Sequence, residues 1–163
     1  MISRIILQNF KCYKQADFSC NSEINIFVGE NGSGKSTLLT AIGLVLSGSY
    51  SQVEKYSFSS IFNQTVILEF LKERNVKKLP KVLIEIYFDS SNQEIASNFN
   101  IEGAHNSQKN KTYVLSLRIV PNQDFMCEIK NVLEDSDLTA FPFEFYKVEF
   151  VTFSGKLYSS YNK

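Results

Sequence analysis

The sequence is short of the residues that mark disulfide-rich, metal-binding or membrane proteins. Its 163 residues include three cysteines, three prolines, one histidine and no tryptophan. No stretch approaches the ~20 consecutive apolar residues that cross a bilayer. The opening segment, MISRIILQNFKCY, has one short apolar run and lacks the small-residue cleavage site of a signal peptide. We therefore expect a cytoplasmic protein without membrane contact.

The cysteines and the histidine do not form a recognisable site. Cys12, Cys20 and Cys127 are odd in number and show no C-x-x-C spacing, which favours reduced, buried thiols. His105 lies in the polar segment GAHNSQKNK and is interpreted as a solvated loop side chain. A metal site built on these residues is not expected.

An excess of charge is also absent. Seventeen basic residues balance seventeen acidic ones, so no global positive field indicates nucleic-acid binding, although a local patch is compatible with this total. The basic run KERNVKKLPK (72–81) is more typical of a solvated helix end than of a DNA contact. With 44% hydrophobic residues, the chain has the composition of one ordinary globular domain.

The segment GENGSGKS (29–36) fits the pattern G-x-x-x-x-G-K-[ST] of phosphate-binding loops. The apolar run EINIFV (23–28) precedes it and predicts a strand buried on both faces. The segment STLLTAIGLVLSG follows and predicts a buried helix that stops at Gly48. Its residues at helical spacing are Leu38, Ala41, Ile42, Val45 and Leu46.

Each position of this glycine-rich loop has a chemical reason. The glycines allow backbone conformations in which several N–H groups converge on phosphate oxygens, and the helix that follows adds its positive end. Lys35 is predicted to bridge the β- and γ-phosphates, Ser36 to ligate Mg²⁺, and Thr37 to contact the α-phosphate side. The predicted site for ATP and Mg²⁺ comprises Gly29, Glu30, Asn31, Gly32, Ser33, Gly34, Lys35, Ser36 and Thr37. A chance match in a glycine-rich loop is the alternative.

The remainder of the chain alternates between apolar and polar residues, as strands with one wet face do. KVLIEIYFD, TYVLSLRIV, FMCEIK and FYKVEFVTF are predicted antiparallel strands. ISRIILQNF and QADFSC are predicted to pair near the N-terminus, and SSIFNQTVILEFLKERNVKK to form an amphipathic helix. The polar residues between the first two alternating strands are predicted to form a long surface loop. The expected fold is a parallel-type nucleotide core followed by an antiparallel sheet.

Two weaker candidates lie beside these elements. Asp89 ends a strand in a way that resembles a Walker B motif, but the strand alternates and Ser90 follows, so we do not assign Asp89 to magnesium. Phe10, Lys11 and Tyr13 precede the nucleotide core and have the residue types that touch a base or phosphates, although exposed turn residues usually do neither.

The order of the motifs resembles a family. The segment from ISRIILQNF to TAIGLVL is similar to the N-terminal lobe of ABC-type ATPases that act on DNA. These include structural-maintenance-of-chromosomes (SMC) proteins, RecF-like proteins and the OLD-family ATPase-nucleases (overcoming lysogenization defect). The shared features are the NFKCY lead-in, the VGENGSGKST loop and LLTAI at the helix start. FEFYKVEFVTFSGKLYSSY resembles the late strands of OLD-like lobes.

The resemblance implies an α/β fold, the ABC-ATPase-like N-terminal lobe of a P-loop NTPase with an antiparallel β subdomain. Residues 1–50 would form the core and residues 78–163 the strand-rich part. It also implies the ATP-binding lobe of an OLD-like ATPase that couples ATP to a DNA endonuclease, in defence against phage. Alternatives are a RecF/SMC-like DNA clamp and a non-catalytic regulatory module. Implied partners are DNA, a second copy of the chain, and a partner protein or C-terminal half.

Family motifs needed for hydrolysis do not occur in the sequence. It has no LSGGQ-type signature, no Walker B strand ending in Asp-Glu, no assignable magnesium-sensing glutamine and no acidic TOPRIM nuclease cluster. A phosphate cradle alone does not position water or stabilise developing charge. We therefore expect this chain to bind ATP, to hydrolyse it poorly by itself, and to be the N-terminal part of a longer ATPase.

Overall fold

A computed structural model describes residues 1–89, 102–103, 112–135, 138, 140–152 and 157–158. Strands in this part of the chain form one sheet in which every recorded pairing is antiparallel. They are Ile2–Phe10 (β1), Tyr13–Ser19 (β2), Val82–Phe88 (β3), Glu102–Gly103 (β4), Thr112–Pro121 (β5) and Tyr146–Thr152 (β6). The predicted N-terminal hairpin and the three alternating strands that became β3, β5 and β6 are confirmed.

The spatial order of the sheet is β2-β1-β3-β5, and both β4 and β6 pair with β5. Strand β1 pairs with β3 from Ile2 opposite Phe88 to Gln8 opposite Leu83. The N-terminal and C-terminal stretches of the chain therefore share one sheet.

Helices in the described residues are Lys35–Ser47 (α1), Tyr50–Glu54 (α2), Phe58–Ile61 (α3), Gln64–Glu73 (α4) and Met126–Glu134 (α5). Short 3-10 turns span Val76–Lys78, Gln123–Phe125 and Phe143–Phe145. The predicted amphipathic helix over 59–78 is confirmed only for its middle part, which is α4; the residues before it form the separate α3 and those after it a 3-10 turn. It begins after Asn63, whose side chain accepts a hydrogen bond from the Val66 amide, and ends at Arg74 in the left-handed region. None of these helices is both long and apolar enough to cross a membrane.

One face of the sheet and the inner face of α1 form the core. The register aligns Leu7 with Ile84, Ile84 with Leu117, and Leu117 with Phe150 across four strands. All four side chains are buried, and α1 packs on β3 and β5. Burying one side chain of this size stabilises the fold by about 1.5–3 kcal/mol, so this row anchors the sheet on which the N-terminal hairpin is built.

Helix α1 has the predicted limits and a different buried face. Gly48 closes it with a left-handed φ of 54°, as expected of a C-terminal glycine. Its buried residues are Leu38, Ala41, Leu44 and Val45, whereas Leu46 is 40% exposed. The prediction that Leu46 is buried was wrong, because the helix is apolar nearly all round and its sequence does not single out one face.

The second face of the sheet is buried at its centre, where alternation predicted a wet face, and is exposed at Lys147. Glu85 is 1% exposed and Tyr87 is 5% exposed, and the Tyr87 hydroxyl donates a 2.9 Å hydrogen bond to the Glu85 carboxylate. Ile6 and Val114 pack with Tyr87 on this face. Alternation separates the two sides of a strand but does not say what covers each side, which is why the expectation failed.

The segment FMCEIK was predicted as a strand and is helical. Residues 123–125 form a 3-10 turn capped by the side chain of Asn122, and α5 follows from Met126. Ile129 and Leu133, four residues apart, are its buried positions. This i, i+4 spacing is the helical pattern, and it prevailed over a short alternating window.

The segment EINIFV (23–28) was predicted as a buried strand and carries no strand in the structure. Ile24, Ile26 and Val28 are 73%, 80% and 89% exposed. The side chain of Asn25 accepts a hydrogen bond from the Asn21 amide and donates one to the Asn21 carbonyl, which bends the chain away from a ladder. The parallel-type core expected here is not found among the described residues, because a strand of that kind must be covered on both faces and no described element covers Ile24, Ile26 or Val28.

The cysteines are not buried as predicted. Cys12 and Cys127 are exposed, and Cys20 is half-buried. Partial burial raises the pKa of the Cys20 thiol. All three are free thiols.

Candidate functional site

The glycine-rich loop (residues 29–37) has the backbone conformations that the sequence predicted. Gly32 and Gly34 lie in the left-handed region, with φ of 84° and 97°. Other L-residues pay about 1–2 kcal/mol for this conformation, so glycine serves a local purpose at both positions. The Ser33 amide donates to the Glu30 carbonyl at 3.2 Å and closes the turn. The loop then passes directly into α1.

The N-terminus of α1 is open to an anion. Gly34 is its N-cap, and no side chain makes a capping hydrogen bond there. The first turn carries no acidic residue. The first amides of a helix and the positive end of its dipole favour negative charge, so an uncapped start beside a glycine-rich loop suits a phosphate group.

Lys35 is held by its own loop. Its ammonium group donates to the carbonyl oxygens of Gly29 and Glu30, each at 2.7 Å, and lies 3.3 Å from the Ser33 hydroxyl. A lysine ammonium has three donors and binds carbonyl or phosphate oxygens with the same groups. The cation therefore already lies inside the loop, and the residue that follows it in the chain, Ser36, is exposed.

Two clefts meet at Lys35. One, of about 240 Å³, is lined by Cys12, Asn31, Gly32, Gly34, Lys35, Ser36 and Thr37. The other, of about 290 Å³, is lined by apolar side chains together with Ser33 and Lys35. The first cleft contains six of the nine predicted site residues.

The residues of the first cleft fit the phosphates of a nucleotide. A Cβ atom built at Gly34 would lie 2.7 Å from the Tyr13 ring and 3.0 Å from the Cys12 thiol, so only glycine keeps the loop backbone in this position. Backbone amides, an ammonium group and two hydroxyls supply donors for phosphate oxygens and an oxygen ligand for Mg²⁺. Within the described ranges, no group of three or more histidine, cysteine or acidic side chains could hold a metal by itself.

Phe10, Lys11 and Tyr13, which lie at the turn between β1 and β2, have different surroundings in the structure. Tyr13 packs against Gly34 and stacks edge-on with Phe18, at 5.7 Å between ring centroids. Phe10 is fully buried in the core, and the ammonium of Lys11 lies 4.6 Å from the centre of the Tyr56 ring. Sequence reasoning missed Cys12, whose proximity to the loop depends on how the hairpin folds and leaves no local signal.

Asp89 lies at the opposite end of the sheet from the glycine-rich loop. The residue before it, Phe88, pairs with Ile2, whereas the loop adjoins Tyr13, which pairs with Phe10 at the other end of β1. The eight residue steps of β1 separate these ends by roughly 25 Å. The Asp89 amide donates to the Met1 carbonyl at 2.9 Å. The interpretation of this residue as the end of an antiparallel strand is confirmed.

Two residues of the basic run 72–81 form contacts within the protein. Arg74 donates to the carbonyls of Asp135 and Leu138, at 2.6 and 3.2 Å, and thereby ties α4 to the end of α5. Lys78 forms a 2.7 Å ion pair with Glu73. These contacts match the helix-end interpretation of the run. His105 lies outside the described residues.

Comparison with known proteins finds one family model and several relatives named for chromosome maintenance, chromosome segregation or DNA repair. A family model described as "AAA domain" matches residues 4–154. Structural maintenance of chromosomes protein 6 of Saccharomyces cerevisiae is 41% identical over 56 residues, which is 34% of this chain and 5% of that protein. The chromosome segregation protein sudA of Emericella nidulans is 31% identical over 94 residues, 56% of this chain and 7% of that protein.

A bacterial relative matches over a similar stretch. The DNA replication and repair protein RecF of Renibacterium salmoninarum is 35% identical over 54 residues, 33% of this chain and 14% of that protein. The chain thus spans a small fraction of the length of these curated relatives. A solved structure from work on "ATP-driven dimerization and DNA stimulated activation of SMC ATPases" aligns at 20% identity with a TM-score of 0.42, over 88% of this chain and 87% of that one.

Proposed function

Because the chain belongs to the AAA domain family, we propose that its glycine-rich loop binds the phosphates of ATP together with Mg²⁺. The fold is α/β, the ABC-ATPase-like lobe of a P-loop NTPase with an antiparallel β subdomain. The proposal depends above all on the loop geometry. Two left-handed glycines lead into a helix start that no side chain caps. The Lys35 ammonium is hydrogen-bonded to carbonyl oxygens of the same loop.

The residues of the first cleft from Gly32 to Thr37 have proposed roles. The amides from Gly32 to Ser36 bind phosphate oxygens, and the Lys35 ammonium leaves the carbonyls of Gly29 and Glu30 for the terminal phosphates. The Ser36 hydroxyl is the proposed protein ligand of Mg²⁺, and Thr37 contacts the phosphate nearer the sugar. Bound Mg²⁺ would neutralise phosphate charge during cleavage of the terminal bond.

We place the chain in a DNA-associated ATPase of the SMC/RecF kind. The relatives that support this are named for chromosome maintenance, chromosome segregation and DNA replication and repair. They favour a DNA clamp over the OLD-like endonuclease that the sequence resemblance suggested. A second copy of the chain would associate through bound ATP, and DNA would bind the assembled protein.

The site needs residues from another polypeptide segment to hydrolyse ATP. The sequence has no signature motif and no Asp-Glu strand. The exposed stripe formed by Ile24, Ile26 and Val28 leads into the loop and presents apolar side chains to solvent. Such a stripe is typical of a surface that another chain segment covers. We propose that the segment that completes the ATPase packs on this stripe.

The first test is calorimetric titration of the chain with MgATP. We expect binding, and at least roughly tenfold weaker binding of AMP, because AMP lacks the phosphates that Lys35 would contact through charge-assisted hydrogen bonds. Omission of Mg²⁺ should weaken ATP binding as well. Failure to detect MgATP binding at millimolar concentration would refute the proposal.

A second test separates the clamp from the nuclease and the regulatory module. The protein encoded by the native gene is incubated with circular DNA and MgATP, and retention and cleavage are measured in parallel. ATP-dependent retention without cleavage supports the clamp. Nicking of the circle supports the OLD-like alternative, and the absence of both effects together with intact MgATP binding supports a regulatory module.

A further inference from the structure

The end of β1 and the turn that follows it (residues 9–12, the hairpin turn) lie beside the glycine-rich loop. Without a Cβ atom, the Gly34 backbone lies directly against the Tyr13 ring and the Cys12 thiol. Gly34 is also the N-cap of α1. Any movement of the hairpin turn toward or away from Gly34 therefore changes the position of the loop amides.

Local preference explains only part of the shape of the hairpin turn. Asn9 and Lys11 both have left-handed backbone angles, with φ of 55° and 48°. Asparagine tolerates this region, whereas lysine adopts it at a cost in free energy, so the conformation of Lys11 requires surrounding structure that fixes it.

The fixing contacts come from the junction of α3 and α4, 50 to 54 residues away in sequence. The Lys11 amide donates to the Ile61 carbonyl at 2.7 Å, and the Asn63 amide donates to the Asn9 carbonyl at 2.9 Å. The Asn63 side chain completes the set, since its Nδ2 donates to the Lys11 carbonyl at 2.7 Å. All three hydrogen bonds engage the main chain of Asn9 or Lys11, the two residues with left-handed backbone angles.

Asn63 uses both ends of its amide. Its Oδ1 accepts from the Val66 amide at 3.2 Å and caps α4, while its Nδ2 holds the hairpin turn. The residue is 7% exposed, so neither bond is readily replaced by water. Aspartate would keep the capping acceptor and lose the donor to Lys11.

We infer that Asn63 is a positioning residue for the nucleotide site. Through the Lys11 carbonyl it fixes the hairpin turn, and through Cys12 and Tyr13 the turn fixes Gly34 and the loop amides. Asn63 touches neither nucleotide nor metal. The inference rests on the proposed function for its effect on affinity, and on the fold alone for its effect on Gly34.

The experiment compares Asn63→Asp with the unmodified chain by two readouts. The first is the backbone amide resonance of Gly34 in the nucleotide-free protein, and the second is MgATP affinity by calorimetry. We expect a shifted or broadened Gly34 resonance and about tenfold weaker MgATP binding, because one buried hydrogen bond that holds the turn is lost. The Val66 amide should stay protected from exchange, because the cap is kept.

The matched control is Asn122→Asp. Asn122 likewise caps a short helical turn, through its side-chain oxygen and the Asp124 amide, but it lies in a different part of the fold. This variant should leave the Gly34 resonance and the MgATP affinity within twofold of the unmodified chain. A purely structural role for Asn63 would lower the melting temperature and change neither readout, and that result would overturn the inference.

Two further outcomes are decisive. If the unmodified chain binds no MgATP, the proposed function fails, while the Gly34 resonance still tests the positioning role. If Asn63→Asp does not fold, Asn63→Ser replaces it, because serine keeps a side-chain oxygen for the cap and loses the donor to the Lys11 carbonyl. A Gly34 resonance unchanged in Asn63→Ser would then overturn the inference.

Discussion

The ammonium group of Lys35 donates a 2.7 Å hydrogen bond to the carbonyl oxygen of Gly29, six residues earlier in the same loop. A second 2.7 Å bond to the Glu30 carbonyl holds it from the neighbouring peptide. The loop is thus closed around its own cation. A phosphate that binds the Gly32–Ser36 amides would compete with these carbonyls for the ammonium. The same Lys35 ammonium would therefore hold the loop in the free protein and bind the phosphate in the complex.

Replacing Lys35 by alanine tests this arrangement. Lys35→Ala should weaken MgATP binding by about 100-fold, the value of two charged hydrogen bonds at the lower end of their range. The melting temperature should change by only about 2–4 °C, because the lost bonds lie in a surface loop. Calorimetry and thermal unfolding measure the two quantities, with the exposed Lys55→Ala as control. Equal affinity of Lys35→Ala and the unmodified chain would remove the central claim.

Asp89 provides a negative prediction. Asp89→Asn should leave MgATP affinity within about twofold, since the residue lies roughly 25 Å from the loop at the other end of β1. The same titration measures this effect. A tenfold loss would mean that the end of β3 reaches the nucleotide, contrary to its pairing with Ile2.

The stripe formed by Ile24, Ile26 and Val28 is exposed, so shortening one of its side chains should change the free energy of unfolding very little. Ile26→Ala should change the free energy of unfolding by less than about 0.5 kcal/mol, because Ile26 is 80% exposed. Ile84→Ala, a matched change at a fully buried position, should cost about 2–5 kcal/mol. Urea denaturation of both variants at low protein concentration measures the difference. Similar costs would show that the stripe is covered in solution.

The pair formed by Arg4 and Asp17 predicts a dependence of stability on pH. Hydrogen bonding to the Arg4 guanidinium, at 2.8 Å from its Nε, lowers the pKa of the Asp17 carboxyl below its ordinary value. A carboxyl with a lowered pKa stabilises the fold above its unfolded pKa, and this contribution is lost as the pH falls through the folded pKa. Since both side chains are substantially exposed, the contribution should be only about 0.2–1 kcal/mol.

Asp17→Asn should therefore be slightly less stable than the unmodified chain at neutral pH. The difference should vanish as the pH falls below the lowered pKa of the folded state, where the carboxyl is protonated in both states. Urea denaturation across this range measures it, and Asp124→Asn, which alters an exposed carboxylate elsewhere, serves as control. A difference that grows toward low pH would contradict the assigned sign.

Much of the candidate site could be predicted because its causes are local. Gly32 and Gly34 adopt left-handed angles within one loop, and Lys35 and Ser36 follow at the first turn of a helix whose apolar residues have helical spacing. The alternating strands β3, β5 and β6 were predictable for the same reason. The segment of α5 was not, since a six-residue window fits both periods.

The sequence by itself determined the glycine-rich loop, the limits of α1 and the alternation of the main strands, because these depend on residues within a few positions of one another. The tertiary structure alone decided that β1 pairs with β3 in one antiparallel sheet, and that Ile24, Ile26 and Val28 stay exposed where no described strand pairs with them. It also decided that Asn63 holds Lys11 across 52 residues. Such contacts require the chain to close long loops, and only the whole set of burial and hydrogen-bond energies selects which loops close.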